Sequence, residues 1–116
     1  MSLNKEQILA NASRFRREQV EVPEWGGSVW VREMAAEERD QWEGWMVSKT
    51  GMDKFKNLRA LIVSLAVCDE AGNRLFSDAE ISQVGKLPVS GIDRVFEAAS
   101  KLNRLTKGDI EDLEKN

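Results

Sequence analysis

The run Leu58-Arg59-Ala60-Leu61-Ile62-Val63-Ser64-Leu65-Ala66-Val67-Cys68 is apolar on nearly every side, and it constrains the rest of the chain. A segment with no polar face must be covered all round, by the chain's own elements or by another subunit. The stretch Lys54 to Cys68, with Asp53 as its N-cap, is long enough to favour a helix over a buried strand despite its valines. Val63 and Val67 cannot share one narrow stripe with Leu58, Ile62 and Leu65. Leu58, Val63 and Val67 are therefore candidate self-association residues, with a central core helix as the rival account.

Upstream, Gln19-Val20-Glu21-Val22-Pro23 and Ser28-Val29-Trp30-Val31-Arg32 alternate polar and apolar around Gly26-Gly27, which predicts a β-hairpin over about residues 19–32. Its core face is Val20, Val22, Val29 and Val31, and Trp30 points the other way. Helical periodicity covers most of the remainder. Asn4 to Phe15 carries Ile8, Leu9, Ala12 and Phe15 at helical spacing, and Arg14, Arg16 and Arg17 around it read as a solvated surface. From Met34 a stripe of Met34, Glu38, Trp42, Trp45 and Met46 runs to a stop at Gly51. Ser77-Asp78-Ala79-Glu80 is a capping box opening a brief helix. Ile92, Val95, Phe96, Ala99, Leu102 and Leu105 make one buried face from about Ser90 to Leu105. The expected fold is α+β: a mainly helical single domain, residues 1–107, with one antiparallel hairpin packed on four or five helices. Residues 108–116 form an acidic tail expected to be mobile.

The chain has 116 residues and a formal charge of −3, one domain's worth and the wrong sign for a general nucleic-acid coat. No apolar run reaches the ~20 residues of a membrane span. With no histidine, the usual general base, the commonest metal ligand and every Ser-His or Cys-His pair are missing. Cys68 has no base to activate it and reads as a small core residue in a reducing cytoplasm. Asp69-Glu70-Ala71-Gly72-Asn73 is a turn, since Asp78 and Glu80 come too late for a calcium loop. No catalytic, cofactor-binding or metal-ligating set is expected. The four tryptophans are more informative: Trp25, Trp30, Trp42 and Trp45 fall in one short stretch and are the candidate partner-binding residues. Trp42 and Trp45 also suit anchoring of their helix onto the hairpin, whereas Trp25 and Trp30 are harder to bury.

Val20-Glu21-Val22-Pro23-Glu24-Trp25-Gly26-Gly27, Val29-Trp30-Val31-Arg32-Glu33-Met34 and Glu37-Glu38-Arg39-Asp40 resemble the start of the tail assembly chaperones of long-tailed, non-contractile (lambda-like) bacteriophages. The likeness continues in Asp69 to Asp78 and in Phe96-Glu97-Ala98-Ala99-Ser100-Lys101-Leu102-Asn103, in the family's order. The resemblance implies a non-enzymatic protein that self-associates, binds the tape-measure protein and helps recruit tail-tube subunits. It implies work in the host bacterial cytoplasm and absence from the mature virion. It also implies a longer form made by ribosomal slippage near the end of the short frame, with an extra domain that contacts the tail-tube protein. Glu114-Lys115-Asn116 is compatible with the adenine run such slippage needs. Neither nucleic acid nor membrane is an expected partner. Two other classes fit less well. A connector or terminator would persist in the virion. A small transcriptional regulator has only Arg14, Arg16 and Arg17 in its favour, and the helix at 78–85 lacks the basic residues of a recognition helix.

Overall fold

The computed structural model describes residues 2–12, 14–48 and 56–104, and over these the chain is α+β. Helices α1 (Lys5–Asn11), α2 (Ala36–Ser48), α3 (Leu58–Ala66), α4 (Ile81–Val84) and α5 (Val89–Leu102) accompany strands β1 (Arg17–Val22), β2 (Gly27–Arg32) and β3 (Val67–Cys68). The strands form one antiparallel sheet in the order β1-β2-β3.

The hairpin register pairs Val20 with Val29 and Val22 with Gly27, so the four valines share a face as alternation requires. Val22 and Val31 are completely buried there. The connection is a 3-10 turn, Pro23–Trp25, closed by Gly26 at a φ of 77°, which a residue without Cβ adopts freely. The third strand departs from the expected lone hairpin. Helix α3 ends at Ala66, and the same apolar run continues as β3, pairing Val67 with Val31 and Cys68 with Trp30. Leu75 N–H donates to the Val67 carbonyl at 3.1 Å, and Arg74 bridges to Cys68. Two strand residues following a helix give no period to read, which is why sequence pattern merged them with α3.

The apolar run is the centre of the core. Leu61, Ile62, Val63, Leu65 and Ala66 have no exposed surface, and Arg59 alone between Leu58 and Cys68 reaches solvent. Helices α2, α4 and α5 pack against it, together with the hairpin. Each such side chain contributes roughly 1.5–3 kcal/mol of burial. Helix α5 presents Ile92, Val95 and Ala99 inward, with Phe96 and Leu102 partly covered, which matches its predicted stripe. Leu105, Gly51, Asp53 and the 108–116 tail lie outside the described residues.

A polar network ties the sheet to α2. Arg32 Nη2 donates to both carboxylate oxygens of Glu38, at 2.9 and 2.7 Å, and both side chains are buried. Ala35 N–H donates to Glu38 Oε1 at 2.7 Å, and Arg74 approaches Oε2 at 3.9 Å. Arg74 also donates to the Ser64 carbonyl and to Asp78. A Gln41 hydrogen bond and then Arg74 hold the Asp78 carboxyl below its usual value. In the predicted turn, Asp69 accepts from the Ala71 and Asn73 N–H groups at 2.9 Å, and the hydrogen bonds from Asn73 lower its pKa likewise.

Candidate partner-binding surfaces

The four tryptophans occupy four different environments. Trp42 is wholly buried between α2 and the core, with Arg39 stacked 5.0 Å from its ring. Trp45, one turn on, is half-buried against the same core. Trp30 lies half-buried on the sheet face opposite the valines, with the Arg17 guanidinium 5.4 Å above its ring. Trp25 closes the 3-10 turn and is 37% exposed. Its indole sits where a Cβ on residue 91 would project, so Gly91 in α5 is the seat for the hairpin tip. Arg94 Nε, one turn further along α5, donates to both oxygens of Glu24 at 2.7 and 2.8 Å and lowers the Glu24 pKa. Trp25, Trp30 and Trp45 thus keep surface that a partner can reach, Trp25 the most, and Trp42 keeps none.

Leu58, Val63 and Val67 all face inward, Val63 completely. The rival account of α3, a helix enclosed by its own chain, describes their position. A side chain already surrounded has no area left to offer a second copy.

The larger exposed apolar surfaces lie elsewhere. Helix α1 opens on a capping box in which Asn4 accepts from Gln7 N–H and Gln7 accepts from Asn4 N–H. None of its residues is buried, and Leu3, Ile8 and Leu9 are 62%, 47% and 66% exposed. Phe15, expected to end that helix, lies past it and packs under Arg32 at 4.5 Å. A second apolar spot, Leu87 and Val89, rims a shallow groove of about 180 Å³ beside Leu58 and Ile92. A second groove, about 480 Å³, runs between β1 and α5 and is lined by residues that include Glu18, Val20, Phe96, Glu97 and Lys101. Periodicity marked Ile8 and Leu9 as one face of a helix, but it carries no information on whether the domain covers that face.

Among the described residues no group of three or more acidic, cysteine or histidine side chains could hold a metal ion. Burial raises the pKa of the enclosed Cys68 thiol, which disfavours the reactive thiolate. No helix among these residues is long and apolar enough to cross a membrane. The described surface carries exposed aliphatic groups, partly exposed indoles and paired surface charges.

Comparison with known proteins gives the same direction. A family model described as phage tail assembly chaperone matches residues 3–116. A solved structure, that of the bacteriophage HK97 tail assembly chaperone, superposes with a TM-score of 0.62 at 28% identity. The match covers 84% of this chain and 94% of that one. No curated protein sequence matches.

Proposed function

This chain belongs to the phage tail assembly chaperone family, and on that premise we propose that it binds the tape-measure protein, self-associates along that client and helps recruit tail-tube subunits. The work is that of a non-enzymatic assembly factor in the cytoplasm of the host bacterium. The observation that carries the client-binding step is α1, a capped helix whose apolar residues Ile8 and Leu9, with Leu3 just before the cap, are exposed. A helix of seven residues with no packed face gains little by folding alone, since isolated helices this short are marginal in water. A long helical client with its own apolar stripe supplies the missing face. Trp25 and Trp30 add aromatic anchors of the kind that dominate interface energies, with Trp45 at their margin. Trp42 serves the core.

A client of great length is held better by many weak contacts than by one strong site, because each bound copy raises the effective concentration for the next. Self-association of the chaperone provides that coupling. Contact with tail-tube subunits belongs to the proposed longer form, whose extra domain would follow the 108–116 tail.

Co-expression with the tape-measure protein of the same phage tests the proposal. The chaperone is expected to co-purify with it and to keep it in the soluble fraction, and to be missing from purified virions by mass spectrometry. Recovery of this chain as a stoichiometric virion component would instead make it a structural connector or terminator.

A further inference from the structure

We propose that a second copy of this chain adds to the free edge of β1, antiparallel, in the register that sets Arg17 opposite Glu21 and Gln19 opposite its own equivalent. The proposal rests on the self-association put forward above and names the surface that carries it.

Strand β1 is the outer strand of the sheet. The Glu33 N–H donates to the Arg16 carbonyl at 2.8 Å, so the pair just before Arg17–Arg32 is a hydrogen-bonded one. Antiparallel pairs alternate between bonded and non-bonded. Residues 18, 20 and 22 therefore turn their N–H and C=O groups toward β2, and Arg17, Gln19 and Glu21 turn theirs outward. None of these outward groups has a backbone partner among the described residues, and all three residues are exposed. An edge of this kind is normally blunted by a proline, a bulge, a covering element or charged side chains, and the charges that flank Gln19 on this edge, Arg17 and Glu21, are of opposite sign. Here the register with β2 runs unbroken from Arg17 to Val22, and Pro23 falls just beyond the strand.

A two-fold axis through Gln19 is the one antiparallel register that engages every outward group, each facing pair exchanging both of its main-chain bonds. It also places Arg17 of each copy directly across from Glu21 of the other, twice by symmetry. Glu21 is in no ion pair within its own chain among the described residues. A slip of one residue in either direction turns the bonding groups away, and in one direction it also sets Glu18 against Glu21, so hydrogen bonding selects the register and charge supports it.

The layer behind the strand is complementary too. Helix α5 runs beside β1 in the opposite direction, since Glu24 holds Arg94 and Arg16 Nη2 donates to the Leu102 carbonyl at 3.0 Å. The axis at Gln19 therefore falls near Glu97 and Lys101, which both line the groove of about 480 Å³ on this edge. Glu97 of one copy is brought toward Lys101 of the other, over the half-buried Val20 and Phe96.

Sedimentation at tens of micromolar, with circular dichroism to confirm folding, tests the edge on the full chain. Wild type is expected to self-associate. Gln19→Pro is expected to abolish the association while sparing the hairpin, because the amide it removes points away from β2. Arg17→Glu and Glu21→Arg each put like charges opposite one another and are expected to weaken association about tenfold or more. The two single variants mixed together, and the double variant R17E/E21R, restore opposite charges and are expected to recover it. If wild type associates but the single variants do so equally well, or neither combination rescues them, the edge is overturned and self-association by another surface stands. A wild type that stays monomeric overturns self-association itself, and this proposal with it.

Discussion

Glu38 holds a place that the helical stripe Met34, Trp42, Met46 reserves for an apolar side chain, and it is buried there at 8% exposure. Its carboxylate is satisfied by Arg32 and by the Ala35 N–H. Sequence periodicity locates Glu38 on the inward face but cannot supply its partner, because Arg32 and Arg74 come from other elements. Glu38→Ala leaves the Arg32 guanidinium buried and unpaired, a change that costs roughly 3–5 kcal/mol. Denaturant unfolding measures it, and a loss below about 1 kcal/mol would show that the pair is not a structural tie. Replacing both residues, Arg32→Met with Glu38→Leu, is expected to cost much less, since no charge is stranded. Two exposed turn carboxylates act differently. Asp69 and Asp78 both titrate below the usual aspartate range in the folded chain, held there by hydrogen bonds donated from Asn73 and Gln41 respectively. Depressed folded values mean stabilisation that is present above the unfolded pKa and lost as pH falls through the folded one. Stability is expected to be level from neutral pH to about 5 and to fall below about 4. Asp69→Asn with Asp78→Asn should flatten that acid limb, and an unchanged limb would assign acid sensitivity to other groups.

At the scale of elements, legibility followed length and period. The hairpin valines, the Ser77–Glu80 capping box and the α5 stripe all appear where the sequence puts them. Ser77 N–H donates to Glu80 Oε1 at 2.8 Å, closing the reciprocal pair that the spacing predicts. The third strand did not show, because Val67-Cys68 continues an apolar run without any break in pattern. The role of α3 was open for a related reason: an all-apolar helix looks the same whether its own domain or a second copy covers it. Helix α1 is the converse case, an amphipathic pattern in which every described residue is exposed. Ile8→Glu with Leu9→Glu changes two exposed side chains outside the core, so its effect on stability is expected to stay within about 0.5 kcal/mol. Thermal or denaturant unfolding checks this. A destabilisation of 2 kcal/mol or more, on the order of a core substitution, would mean that α1 packs on the domain in solution.

For the whole molecule, the tryptophan cluster pointed to a contact protein without locating the contacts, because clustering in sequence did not become clustering on one surface. Two of the four tryptophans face largely inward, and the grooves and the uncovered helix depend on tertiary placement. On the proposed reading two tasks fall to different surfaces, α1 and the exposed indole of Trp25 to a client and the β1 edge to another copy. If the tasks are physically separate, they must be separable by substitution. Ile8→Glu with Leu9→Glu is then expected to leave the sedimentation profile of the chaperone unchanged while removing the tape-measure protein from a co-purification. Glu21→Arg, which leaves the Arg17 guanidinium over Trp30 in place, should do the reverse at the level of one contact: a short client segment that accommodates a single copy binds as before. A long segment should lose far more affinity, because uncoupled copies no longer raise one another's effective concentration, and such coupling is worth on the order of 10²–10⁴ in avidity. The comparison needs only binding isotherms for a short and a long tape-measure fragment with each variant. Equal losses on both fragments for Glu21→Arg would place the β1 edge in the client site itself. A changed oligomer distribution for the α1 variant would place α1 in the contact between copies.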